Sequence, residues 1–238
     1  MDAVMVSTQD FFMNINISLL SKLINTHKDV RLLCSGGVDS IAGTHYLIDR
    51  KHLSNKNVSV VHVNHGLRKQ NDIMEESVVS FCSDYGYTLE VYHINKTLTT
   101  EADFRKERLK IYETFDPCCL VSFHHLDDCV ESHFLNFIRG HTDRLPIPPI
   151  TPLIKTGSNI VHPFILNKKN ALIQYAQRKN LMKYVVEDET NKIVKGSRRN
   201  LIRNQIIPIL SENEIGLDTI VKKLILDKLE NNLSLSQF

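Results

Sequence analysis

Apolar runs alternate with amphipathic stretches along this chain, and that alternation predicts its architecture. Four short runs read as strands at Val30–Cys34, Val58–Val63, Thr88–Ile94 and Cys118–Phe123, with a weaker fifth at Asn159–His162. Between them lie stretches of helical spacing near 38–52, 71–86, 102–115 and 127–139, and an initial helix near 10–27 precedes the first strand. Strands joined by connections of helix length build a parallel sheet covered on both faces. The expected fold is therefore α/β, a Rossmann-like parallel five-stranded sheet with helices on both faces. Pro146, Pro148, Pro149, Pro152 and Pro163 punctuate residues 140–163, which predicts a long connection over the rim of the sheet. Helical patterns resume at about 168–180, 197–212 and 216–232. This divides the chain into a main unit over residues 1–212 and a short helical C-terminal extension over 213–238.

Right-handed crossovers, and the rule that ligands sit at the carboxyl ends of strands, bring three segments together. The first is Ser35-Gly36-Gly37-Val38-Asp39-Ser40, directly behind the first strand. Glycines there let the backbone approach an anion, while the Ser35 and Ser40 hydroxyls and the amides of the next helix can donate to it. No Lys follows the second glycine, so this is not a Walker A loop. It reads as the pyrophosphate loop SGGxDS of enzymes that split ATP between its α- and β-phosphates.

The second segment, Asn64-His65-Gly66-Leu67-Arg68, offers hydrogen-bonding groups and a cation, although a plain polar loop accounts for it equally well. The third is His124-His125-Leu126-Asp127-Asp128-Cys129-Val130-Glu131. Its carboxylates at i,i+3 and i,i+4 project toward overlapping faces of a helix. Carboxylates at a helix start also complement its dipole, and that alone explains Asp127 and Asp128. Two adjacent histidines and a downstream Glu fit better with holding Mg²⁺ beside a nucleotide or fixing a substrate ammonium. Arg105 and Arg108 could reach phosphate or a base, or form exposed salt bridges with Glu101 or Glu107. Arg199 and Arg203 share one helical face, where they could neutralise a developing pyrophosphate charge or grip a nucleic-acid backbone.

Composition narrows this picture. No apolar run approaches the ~20 residues of a membrane span, and residues 1–10 lack the character of a secretory signal. The expected location is cytoplasmic, with no membrane partner. Five cysteines (Cys34, Cys82, Cys118, Cys119, Cys129) form no C-x-x-C pair, which points to reduced, buried thiols without zinc or an iron–sulfur cluster. Net charge is only +2, but ten basic residues face three acidic ones between Lys168 and Arg203. Such a stretch could face phosphates or form a solvated helix face.

Taken in order, these residues resemble the tRNA(Ile)-lysidine synthases of the PP-loop (N-type ATP pyrophosphatase) superfamily. The resemblance rests on SGGVDS (35–40), NHGLR (64–68), the helix around Arg105 and Arg108, and HHLDDCVES followed by Asn136, Arg139 and Gly140. It continues through His162-Pro163-Phe164, Glu187-Asp188-Glu189-Thr190-Asn191 and Arg199-Asn200-Leu201-Ile202-Arg203. It implies a reaction in which ATP adenylates the first-anticodon cytidine of an isoleucine tRNA with a CAU anticodon, releasing pyrophosphate. L-lysine then displaces AMP to give lysidine.

On this resemblance Ser35, Gly36, Gly37, Val38, Asp39, Ser40, His65 and Arg139 bind ATP, and Asp39 and Asp128 hold Mg²⁺. Asp39, Asp128, Glu131, Arg105 and Arg199 are the catalytic set, with His124 nearby and Arg203 in support. The implied partners are the tRNA, L-lysine and, in a homodimer, a second copy. The chain departs from the family at Cys129 (usually Gln), Ser132 (often Thr), Leu109 (typically Tyr) and Leu201 (commonly Arg). Only 30 residues follow Pro208, where family members carry further helical, tRNA-holding domains, so the resemblance implies a short form. The competing readings are another ATP pyrophosphatase with a different acceptor and a nucleotide-binding regulatory protein without turnover. tRNA thiolases use C-x-x-C pairs that this chain does not have, and glutamine-dependent synthetases need an ammonia source.

Overall fold

The computed structural model describes residues 24, 26–66, 69–94, 98, 100–141, 147–187, 197–213 and 215–235. Its centre is a six-stranded sheet in the order β3-β2-β1-β4-β6-β5. The strands are β1 (Asp29–Leu33), β2 (Asn57–Asn64), β3 (Leu89–His93), β4 (Cys119–Val121), β5 (Ile150–Leu153) and β6 (Ser158–Val161). β1 pairs in parallel with β2, Val30 opposite Val58, and with β4, Val30 opposite Cys119. The chain winds outward from β1 first to β2 and β3, then reverses to β4 and β6. A crevice is thereby left at the carboxyl ends of β1 and β4, where α/β sheets bind ligands.

All four main strand expectations are met, and the fifth becomes β6. The expected five strands become six, because Ile150–Leu153 pairs antiparallel with Ser158–Val161 inside the proline-punctuated segment. Pro152 hid this strand, since a proline cannot donate to a ladder and is tolerated only at an edge, which is where β5 lies.

Helices cover both faces. α1 (Val38–Asp49) buries eight consecutive residues, Ser40–Leu47, and packs against α5 (Lys169–Arg178). Gly43 permits that depth: a Cβ there would sit 2.2 Å from the Phe123 ring. α2 (Lys69–Tyr85) buries Val78, Phe81 and Cys82. Tyr46, Tyr175 and Phe81 are among the largest fully buried side chains, and burying one of this size contributes roughly 1.5–3 kcal/mol. α3 (Glu101–Tyr112) is capped by the Thr100 hydroxyl. α4 (Leu126–Ile138) follows β4, and α8 (Leu217–Leu235) packs Val221, Ile225 and Leu229 on Leu126, Cys129 and Val130 of α4. All five cysteines are buried and unpaired, as expected.

The helix expected at 197–212 is broken in its middle. α6 (Arg198–Leu201) leads into a π-turn, Ile202–Ile206, before α7 (Ile207–Glu212). Pro208 explains the interruption, because it offers no N–H to the Asn204 carbonyl and its ring crowds that oxygen. The wider turn, closed by Ile207 N–H on Ile202 O, accommodates it. The expected helix at 10–27 lies outside the described residues apart from Ile24, Thr26 and His27, as do Leu67, Arg68 and the run 188–191. Among the described residues no helix is long and apolar enough to cross a membrane.

Candidate functional site

The Ser35–Ser40 loop turns sharply between β1 and α1. Gly36 has φ +88°, and a Cβ there would lie 3.3 Å from the Met74 carbonyl of α2, so both backbone shape and space demand glycine. The Ser40 hydroxyl donates to Gly37 O at 3.0 Å and accepts from the Ser35 amide at 3.1 Å, closing the loop on itself. Gly37 is the N-cap of α1 and supplies no side-chain cap, so the first amides of the helix point into the crevice. The 184–187 segment braces the loop from the other side. Val186 N–H donates to Gly36 O at 3.0 Å, while Ser77 and Gln70 of α2 donate to the Tyr184 and Glu187 carbonyls.

His125 joins the loop to the rest of the site. Its ring is buried at the N-cap of α4. Nε2 lies 3.5 Å from Asp39 and 3.4 Å from Asp128, and Nδ1 lies 3.4 Å from Asp127. Burial opposes a charge here, but hydrogen bonds to Asp127 and Asp39, with the charges of Asp128 and Asp39, push its pKa up to about 10. The Asp128 N–H, 3.4 Å from Nδ1, can bond to it only in the neutral ring, so in the charged form Nδ1–H turns to Asp127. The His125 amide still donates to Asp128 Oδ2 at 3.1 Å. Against the cost of burial, His125 and the Lys169 amide hold Asp127 at about 2. Burial likewise opposes the charge on Asp128, but the charges of His125 and Arg199 lower its pKa.

Asp127 is chiefly a joint between helices, accepting the Lys169 amide of α5 at 2.8 Å. Lys169 Nζ stands 3.5 Å from Asp39 Oδ2. Asp39 Oδ1 is buried without a partner. An orphaned carboxylate oxygen beside a second carboxylate and an anion loop suits Mg²⁺, which takes one or two carboxylates plus substrate phosphates rather than an all-protein cage. Among the described residues no group of three or more His, Cys, Asp or Glu side chains forms such a cage.

One turn further along α4, Glu131 is only 2% exposed. Arg203 holds it through Nε to Oε1 at 2.5 Å and Nη2 to Oε2 at 2.8 Å, and Arg199 Nε donates to Oε2 at 3.0 Å. Both guanidinium groups also approach Asp128 Oδ1, at 3.7 Å and 3.5 Å. The i,i+4 spacing of Arg199 and Arg203 thus lands on one acidic face.

A second group of side chains lines the β2–β4 side. His124 Nδ1 meets the Ser122 hydroxyl at 2.8 Å, and its ring lies 5.2 Å from that of His162. The ring of His65 sits edge-on to Phe104 of α3, with Nδ1 buried and unpartnered. Burial, then the charge of Arg108, lowers His65 to about 4. Burial, with His124 and then Arg105, takes His162 to about 3. Burial also lowers His124 despite the pull of Asp128. Arg108 and Arg105 of α3 are thus near enough to act on these rings through their charge.

The structure thus gathers Ser35–Ser40, His125, Asp128, Glu131 and Arg199 in one crevice, with His65 and Arg105 at its flank. Arg139 stands apart as the exposed C-cap of α4, about 16 Å of helix rise from Asp128. Sequence reasoning did not single out His125 and Lys169 for the positions they hold. The place of His125 just ahead of the helical stretch expected from residue 127 was the available signal.

A family profile described as a PP-loop domain matches residues 9–210. The chain is 31% identical over 204 residues to a tRNA(Ile)-lysidine synthase from Enterococcus faecalis, covering 82% of this chain and 43% of that protein. It is 30% identical over 188 residues to the Legionella pneumophila protein of the same name, covering 77% and 42%. The chain thus spans under half the length of these relatives. Among solved structures, the U34-tRNA thiolase NcsA from Methanococcus maripaludis superposes with TM-score 0.64 at 19% identity, over 93% of this chain and 80% of that one. At that identity the likeness speaks for the fold.

Proposed function

The chain belongs to the PP-loop domain family, and from that membership we propose that it is an ATP-dependent tRNA-modifying ligase that converts cytidine to lysidine. The observation that carries this reading is the open amide end of α1 behind Ser35–Gly37, set against Asp39, Asp128 and a pair of arginines. The β- and γ-phosphates of ATP fit the loop, held by the Ser35 hydroxyl and the α1 amides. Asp39 and Asp128 would hold Mg²⁺, which neutralises phosphate charge when bound. His65, neutral and set edge-on to Phe104, suits the adenosine side.

Cytidine O2 attacks the α-phosphorus as the Pα–O–Pβ bond breaks, and pyrophosphate leaves. Arg199 and Arg105 counter the charge that builds on the phosphates. The lysine ε-amine then attacks C2, the C2–O2 bond breaks, AMP departs and the amine gives up a proton. Asp128, more open than Glu131, would orient that amine or the metal. Arg139 would contribute to nucleotide binding only from the far end of α4. Most of this chemistry is positioning and charge neutralisation.

Nucleoside mass spectrometry tests the reading on tRNA bearing cytidine at the first anticodon position, incubated with ATP, Mg²⁺ and lysine. We expect lysidine. ATP cleavage to AMP and pyrophosphate without lysidine would assign a different acceptor, and no cleavage would overturn the enzymatic reading.

A further inference from the structure

Glu131 and Asp128 stand one turn apart on α4, yet their surroundings differ. Glu131 is almost fully enclosed and receives three charge-assisted hydrogen bonds from two guanidinium groups. A carboxylate offers about four acceptor sites, so three of them are taken. A substrate ammonium or a metal ion would find one acceptor site left, on an enclosed carboxylate whose charge two guanidinium groups already balance.

The segment carrying those arginines buries little of itself. α6 is four residues long and buries no side chain, and the π-turn after it buries only Ile202. Two long, flexible side chains on such a segment need an external anchor to hold one geometry. Glu131 is that anchor: it draws both guanidinium groups together against Asp128, with Arg203 within electrostatic reach of Asp39.

We propose that Glu131 is a positioning residue that fixes Arg199 and Arg203 opposite the phosphate loop, and that it does not itself bind lysine or Mg²⁺. This deepens the functional reading above and rests on it. It replaces the catalytic role expected for Glu131 from the sequence with an indirect one.

The test compares wild type, Glu131→Gln and Glu131→Asp in two assays. The first is tRNA-dependent pyrophosphate release from ATP and Mg²⁺ without lysine, and the second is lysidine formation against lysine concentration. Misplacing the arginines should slow pyrophosphate release by roughly 10²-fold. The lysine KM should stay within about twofold, because loss through positioning appears in kcat rather than in uniform binding. Glu131→Asp, charged but one methylene short, should recover part of the rate. Unchanged pyrophosphate release with a raised lysine KM would overturn the proposal and make Glu131 the ammonium ligand.

A double-mutant cycle of Glu131→Gln with Arg203→Gln, read by thermal unfolding, judges the anchor without any activity. The double variant should melt no lower than Glu131→Gln alone, and additive losses would overturn the proposal. If wild type proves inactive on this tRNA, the functional reading fails, while the thermal cycle still decides the anchor.

Discussion

His124 and His125 are neighbours in the chain and opposites in the molecule. His125 points into a cage of carboxylates from α1 and α4 and is held charged, with its pKa near 10. His124 turns to the other side, against His162, where burial and nearby arginines keep the rings neutral and His162 falls to about 3. His125 is buried and His124 half-buried, and burial opposes a charge on both rings, so burial alone does not decide. The charges facing each ring do. One side of the crevice is an acidic joint carrying a fixed positive pin, and the other is a cationic rim lined with neutral imidazoles.

The contrast breaks most completely at the pin. His125→Ala leaves three carboxylates without their shared partner, and breaking a buried pair costs about 3 kcal/mol or more. We expect the melting temperature to fall by about 10 °C and ATP cleavage to disappear; a variant that melts like wild type would refute the charged joint. Next comes Arg199→Ala, for which we expect about 10²-fold slower pyrophosphate release. Its melting loss should be smaller, since Arg203 still holds Glu131 through two bonds. Unchanged kinetics would remove Arg199 from the reaction.

Acidity and alkalinity act on the two sides separately. His65 and His162 have folded pKa values of about 4 and 3, below the ordinary 6.5. Their stabilisation is complete above pH 6.5 and is lost as pH falls toward those values. His125 is raised, so its stabilisation is complete below 6.5 and is lost as pH rises through about 10. Stability from these groups therefore peaks near pH 6.5. Denaturant titrations across pH 4–10 should show His162→Asn flattening the acid limb alone. A flattened alkaline limb in that variant would contradict the assignment. The smallest effect belongs to Arg105→Ala: losing one cation near His162 should raise that ring's pKa by less than about one unit in an NMR titration. A fall would place Arg105 elsewhere.

What the sequence disclosed follows from how local each feature is. The Ser35–Ser40 loop closes on itself through Ser40, so its spacing was readable. Arg199 and Arg203 shared a face by spacing alone, although their common partner lies some seventy residues back, at Glu131. The role of His125 was not readable, because Asp39 meets it from another helix and Asp127 answers to Lys169. Arg139 follows the acidic segment closely in sequence, but α4 carries it away. The π-turn stayed hidden because helical spacing does not register one extra residue per turn, even with Pro208 in view.

The sheet margin at β5 has a consequence for the protein's life in a crowded solution. A bare edge offers donors and acceptors to any other extended chain, and so invites runaway stacking between copies. Here the outermost strand is only four residues long and has at its centre an exposed proline with no hydrogen to give. Growth of the sheet past this margin is blocked by that single ring, so the residue that concealed the strand also terminates it.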